Sequence, residues 1–188
     1  MADPVNPYVM PPGLPAPMDD GAADHLEGMA VPPVALPSTS GDQVDLSEAA
    51  GGTLVLYLYP RTGRPGEPLP EGWDDIPGAR GCTPQSCAFR DHFAELRSLG
   101  ADVLGLSAQP VADQVEFAER VGLPYPILSD PELALADALR LPTFGVAGMR
   151  LYRRLTLVAR EGRIDKVFYP VFPPDRNAAD VVAWLGSA

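Results

Sequence analysis

Residues 54–59 read Leu-Val-Leu-Tyr-Leu-Tyr, a continuous run of bulky apolar side chains held between Gly51-Gly52 and Pro60. Successive side chains of a strand point to opposite faces, so a strand with no polar position has no face to give to water. It must be covered on both sides, which predicts a buried central strand in a layered α/β domain.

The rest of the chain supplies the cover. A helix is predicted over about 83–99, with Phe89, Phe93 and Leu96 at i, i+4 and i+7 facing the core and Gly100 ending it. Val103–Ser107 reads as a second buried strand. Val111–Val121 reads as a helix stopped by Gly122 and Pro124. Tyr125–Leu128 reads as a short extended piece and Pro131–Leu139 as a short helix. Leu151–Ala159 and Arg163–Tyr169 read as a hairpin about Arg160-Glu161-Gly162, and Asp175–Leu185 as a closing helix. This order predicts a thioredoxin-like fold: a central mixed sheet with flanking helices and an antiparallel edge.

Bulk properties narrow the function classes. A chain of 188 residues with 46% hydrophobic content fits one domain with an appendage. No stretch approaches the roughly 18 apolar residues of a membrane span. The N-terminus lacks a basic segment followed by an apolar run, which argues against a secretory leader and for a reducing, cytoplasmic setting. Residues 1–60 hold eight acids and no Lys or Arg, so they carry most of the net charge of −11; an acidic surface argues against nucleic-acid binding. Of the 23 prolines, nine fall in residues 1–40 and six in 60–84. Residues 1–27 therefore read as an acidic, Pro-rich arm ahead of a domain spanning 28–188. The arm is either a free tail or a strap across the domain anchored by Tyr8 and Met10. Residues 61–81 read as a loop insertion of a length that is usually functional or disordered.

Both cysteines, Cys82 and Cys87, sit where that loop turns into a helix. Thr83 is expected as the N-cap and Pro84 at the first helical position. A thiol there meets free backbone N–H groups and the positive end of the helix dipole, which favour the reactive thiolate. Residues five apart on a helix are offset by about 140° and ~7.5 Å, beyond the roughly 7 Å Cα limit of a disulfide. A Cys82–Cys87 bond thus requires the first turn to unwind, which makes it a poor staple and a suitable catalytic intermediate. Cys87 lies about 160° round the helix from Phe89, off the core stripe. With His25 and His92 the only histidines, no four-ligand metal pattern emerges. Dinucleotide and P-loop glycine patterns are absent, so no cofactor is expected.

Tyr59-Pro60-Arg61-Thr62 followed by Gly81-Cys82-Thr83-Pro84-Gln85-Ser86-Cys87-Ala88-Phe89-Arg90-Asp91 resembles the active-site region of the peroxiredoxins, and of the PrxQ or bacterioferritin-comigratory subgroup in particular. The similarity extends over about residues 28–186, through Pro33-Val34-Ala35-Leu36-Pro37, Leu104-Gly105-Leu106-Ser107 and Pro126-Ile127-Leu128-Ser129-Asp130. The resemblance implies a thiol-dependent peroxidase acting on hydrogen peroxide or organic hydroperoxides. Cys82 matches the peroxidatic cysteine and Cys87 the resolving one, with a thioredoxin-type dithiol restoring both and a monomer or weak homodimer as the working unit. It also implies an arginine over the thiolate; Arg154 is favoured because the Arg160-Glu161-Gly162 turn looks tight, with Arg153 second. The family's peroxide-orienting threonine, three residues before the cysteine, is Ala79 here. Thr62 or Thr83 is the candidate to supply its hydroxyl, beside Pro60, if the inserted loop folds back. Trp73 is expected to staple that loop. The competing reading is a thioredoxin-fold disulfide exchanger or redox sensor that never meets peroxide.

Overall fold

The computed structural model describes residues 6–188. In chain order the elements are β1 (Ala35–Pro37), β2 (Gln43–Asp45), α1 (Leu46–Ala49), β3 (Thr53–Leu58), α2 (Cys82–Asp91), α3 (Phe93–Ser98), β4 (Ala101–Ser107), α4 (Val111–Val121), β5 (Ile127–Ser129), α5 (Ala134–Leu139), β6 (Thr143–Val146), β7 (Met149–Tyr152), β8 (Leu155–Arg160), β9 (Arg163–Phe168) and α6 (Asn177–Ser187).

The apolar run at 54–59 is the central strand. The main sheet has the order β5-β4-β3-β8-β9, with β3, β4 and β5 parallel and β8 and β9 antiparallel beside them. Alternation along β3 divides the core in two. Leu54, Leu56 and Leu58 enter one cluster with Leu135 and Leu139 of α5 and with Leu26 from the N-terminal segment. Val55, Tyr57 and Tyr59 enter the other with Phe89 of α2, Leu96 of α3, Phe117 of α4 and Val181 of α6. The Tyr57 ring stacks on Phe89 at 4.4 Å between centroids and lies over Gly105 of β4, where a Cβ would stand 2.8 Å from the ring.

Three expectations are corrected. The predicted helix over 83–99 is two helices broken at His92, whose backbone (φ −93°, ψ 4°) leaves the helical range; beyond the break Leu96 is buried and Phe93 packs on Tyr125. The predicted strand over 151–159 is also two elements. β7 pairs with β6 in a separate ribbon and β8 with β3, so Arg153 and Arg154 stand at the corner between them. The helix expected from Pro131 begins only at Ala134, because the buried Asp130 carboxylate accepts from the Ala134 and Leu135 amides and fixes the start there.

Residues 6–27 follow a defined path over the domain. Leu26 and Ala23 are buried, His25 Nε2 lies 2.8 Å from the Leu139 carbonyl, and Tyr169 donates to Asp20 at 2.9 Å. Farther up, Pro17 lies against Gly78 and Met10 against Gly81, while Tyr8 is half exposed. Among the described residues no helix is long and apolar enough to cross a membrane.

Candidate active site

β3 ends in Tyr59 and passes Pro60 into the long loop, and the loop returns to start α2 at the same end of the sheet. Cys82 is the first residue of α2, and its N-cap is Gly81 in a left-handed conformation (φ 104°). Thr83 is therefore not the cap, and Pro84 is the third helical residue rather than the first; its missing N–H is still one of those a helix start leaves unpaired. Thr83 is instead buried at the site.

Gly81 has no substitute. A Cβ there would lie 2.6 Å from Met10 Sδ and 2.7 Å from Pro174 Cγ, in a backbone conformation that side chains rarely adopt. Gly81→Ala is expected to destabilise the fold by about 2 kcal/mol or more, from strain and overpacking together. Urea unfolding measures this; an unchanged midpoint would contradict the sandwiched geometry.

Cys82 is 4% exposed. The Arg154 Nη2 group lies 3.2 Å from its Sγ, and the thiol donates to the Ala79 carbonyl at 3.6 Å. Arg154, only 3% exposed, also donates to the carbonyls of Gly78, Ala79 (3.1 Å) and Arg80 (3.2 Å), and to the Gln85 side-chain oxygen. These partners are all neutral. A buried guanidinium without an anion is costly, and among the described residues the Cys82 sulfur is the one neighbour hydrogen-bonded to it that can carry a negative charge.

Behind the arginine runs a buried relay with no part in the sequence-based expectation. Gln85 donates to Asn177 Oδ1 at 2.9 Å, and Thr156 donates to the same oxygen at 2.6 Å. Gln85 stands one helical turn from Cys82 on the same face, a signal available from the sequence. Asn177 and Thr156 lie on distant elements and carried none.

Cys82 lies in a cleft of about 440 Å³, whose lining includes Thr62 and Thr83. Thr62 lines the same cleft as Cys82, and its hydroxyl and its amide both donate to Gln109 Oε1, at 3.2 and 2.9 Å. Ala79, in the family threonine's place, is buried and contributes its carbonyl rather than a hydroxyl. Trp73 is buried against Phe144 and Leu151 and staples the loop. Pro60 and Arg153 are not in this cleft. They line a small neighbouring cavity together with Arg154, Pro17 and Tyr169.

Both thiols are free. Cys87 is half-buried on α2, and burial pushes its thiol up while nearby Arg90 pulls it back. Tyr57 and Tyr125, bonded to one another and to Ser86, pack the helix beneath it, and burial raises both phenols above their ordinary range. His92 is a surface residue facing Glu95 at 3.0 Å. Among the described residues no group of His, Cys, Asp or Glu side chains could hold a metal ion.

Residues 26–183 match the Redoxin family. A putative peroxiredoxin bcp from Coxiella burnetii is 30% identical over 162 residues, covering 84% of this chain and 97% of that protein. The chloroplastic peroxiredoxin Q of Gentiana triflora is 28% identical, covering 86% of this chain and 67% of its own. Among solved structures, the peroxidoxin BcpB of Mycobacterium tuberculosis superposes with a TM-score of 0.70 at 29% identity, over 87% of this chain and 98% of that one. With both thiols, the fold and the relatives in agreement, the chain belongs to the redoxin family as a thioredoxin-fold, thiol-dependent peroxidase of the peroxiredoxin Q and bcp type.

Proposed function

We propose that Cys82 is the peroxidatic and Cys87 the resolving thiol of an intramolecular cycle. The observation that carries this is the Arg154 guanidinium 3.2 Å from the sulfur of Cys82, a residue that lines a cleft of about 440 Å³. The thiolate attacks the nearer peroxide oxygen: the S–O bond forms as the O–O bond breaks, sulfur loses two electrons, and the departing oxygen leaves as alcohol or water after taking a proton. Arg154 spreads its charge over the attacking sulfur and the oxygens in the transition state. The Thr62 hydroxyl, its own proton held by Gln109, is free to accept from the peroxide O–H, and Thr83 closes the same wall. Pro60 and Arg153 line the neighbouring cavity that Arg154 also borders.

The resulting sulfenic acid condenses with Cys87, releasing water and forming the disulfide. Both residues lie within α2, so the first turn must unwind for the sulfurs to meet. Unwinding also returns Cys87 to water and removes the burial that holds its thiol up. A thioredoxin-type dithiol then reduces the bond by exchange. Both thiols and the guanidinium come from one chain, in keeping with a monomer or weak homodimer as the working unit, and the need to regenerate thiols suits a reducing cytoplasm.

Cys87→Ser is expected to give one turnover at the wild-type rate and then stall, with recovery only on adding a small external thiol. Stopped-flow oxidation followed by a coupled thioredoxin assay reads both phases. Sustained thioredoxin-driven cycling of the variant would remove Cys87 from the resolving role.

A further inference from the structure

The two ends of the Arg154 guanidinium have different partners. Nη2 meets the Cys82 sulfur and the carbonyls of Gly78, Ala79 and Arg80, whereas Nη1 has one partner among the described residues, the side-chain oxygen of Gln85. A guanidinium only donates, so Gln85 must turn its oxygen toward Arg154 and its NH2 away. A free glutamine amide can present either end, and the wrong end would set donor against donor beside the sulfur. Asn177 removes that freedom. Its Oδ1 accepts from Gln85 Nε2 at 2.9 Å and from the Thr156 hydroxyl at 2.6 Å. All three side chains are buried, so each must find its partner within the protein. They come from three elements: Gln85 from the first turn of α2, where its amide donates to the Gly81 carbonyl at 3.0 Å, Thr156 from β8, and Asn177 from the start of α6. A pair of apolar side chains of the same shape would tie α6 to α2 at little or no cost. What the carboxamide oxygen adds is direction.

We infer that Asn177 is a positioning residue for peroxide reduction: acting through Gln85, it holds the Arg154 guanidinium in the orientation that sets Nη2 on the Cys82 sulfur. The inference rests on the peroxidase reading above and adds the group that aims its cation. Asn177 does not line the cleft that Cys82 borders, and its side-chain oxygen is bonded to Gln85 and Thr156 alone, so its influence on the sulfur passes through Gln85. The polarity of the whole chain of bonds follows from Arg154 as its obligatory donor: Arg154 to Gln85, Gln85 to Asn177, with Thr156 closing it from the far side.

The test is a double-mutant cycle on the full chain, reading the second-order rate of oxidation by hydrogen peroxide in stopped flow for Asn177→Leu, Gln85→Met, the double variant and Asn177→Asp. Each single variant is expected to slow the step by about tenfold, since small misplacements of a group at the reacting atoms cost up to about 100-fold. The double variant should lose no more than about threefold beyond either single one, because residues that act as one unit are not additive. Asn177→Asp keeps an acceptor for both donors and should stay within about threefold of wild type, a rescue that a merely space-filling role would not require. Circular dichroism checks the fold, and Asn177→Ala takes the place of Asn177→Leu if the latter does not fold. A single variant within about twofold of wild type, losses that multiply to about 100-fold in the double variant, or an Asn177→Asp rate as low as that of Asn177→Leu overturns the inference while leaving the peroxidase standing. A wild-type chain that fails to react rapidly overturns the peroxidase reading, and the inference with it.

Discussion

Cys82→Ser should leave a folded protein that consumes peroxide no faster than an ordinary solution thiol does, a loss of at least about 10³-fold and so of at least about 4 kcal/mol of barrier lowering. The reason is chemical before it is structural. A serine hydroxyl stays protonated and poorly polarisable, so neither the Arg154 contact nor the helix start can turn it into a nucleophile toward an O–O bond. The exchange is nearly isosteric at a site where the native thiol already donates to the Ala79 carbonyl, so the fold should survive. Peroxide consumption, with circular dichroism as the check on folding, decides it. Turnover retained in the variant would move the chemistry to Cys87 or away from thiols altogether.

Arg154→Gln should slow the peroxide step by about 10²–10³-fold, the usual cost of removing one preorganised donor from developing negative charge. It should also weaken the fold. The guanidinium donates to the carbonyls of Gly78, Ala79 and Arg80, and an amide cannot reach all of them. Each carbonyl left unpaired costs about 1–3 kcal/mol. Arg154→Lys separates the two effects, since it keeps the charge and loses the fork; it should recover part of the rate and little of the stability. Arg153→Gln, on the neighbouring cavity, should stay within about threefold of wild type, as most exchanges away from the reacting atoms do. A larger loss from Arg153→Gln than from Arg154→Gln would show that the wrong arginine has been placed on the sulfur.

That choice between adjacent arginines shows what was legible in the chain beforehand. β8 and β9 join with Arg160 opposite Arg163, so Glu161 and Gly162 alone make the turn, and the extra residue of the bulge, Asp165, falls on β9. The alternation of β8 is thereby kept. Val158 and Thr156 face α2 and α6, and counting back by twos arrives at Arg154. A tight turn could be read from Arg160-Glu161-Gly162, and it carried the choice. The buried strands and α4 were legible for the same reason: apolar continuity and helical period are local signals that tertiary packing reinforces. The ribbons β1–β2 and β6–β7 were not, because strands of three or four half-exposed residues carry no such pattern. Nor was the break at His92, where the backbone leaves the helical range. The cap misled differently: Thr83 has the right chemistry for it, but Gly81 alone can take the left-handed turn between Met10 and Pro174. The relay Gln85–Asn177–Thr156 depends on three elements meeting, which spacing along a chain does not report.

The central claim is that a buried sulfur is oxidised first and that a second, one and a half helical turns away, reaches it by local unwinding. Trypsin cuts after Arg80 and after Arg90, so both cysteines fall in one peptide, Gly81–Arg90. Mass spectrometry of that peptide, after one equivalent of peroxide and without reductant, should show the loss of two hydrogen atoms and no free thiol. A peptide that instead gains oxygen on Cys82 while Cys87 stays alkylatable, or that remains fully reduced, would contradict the cycle.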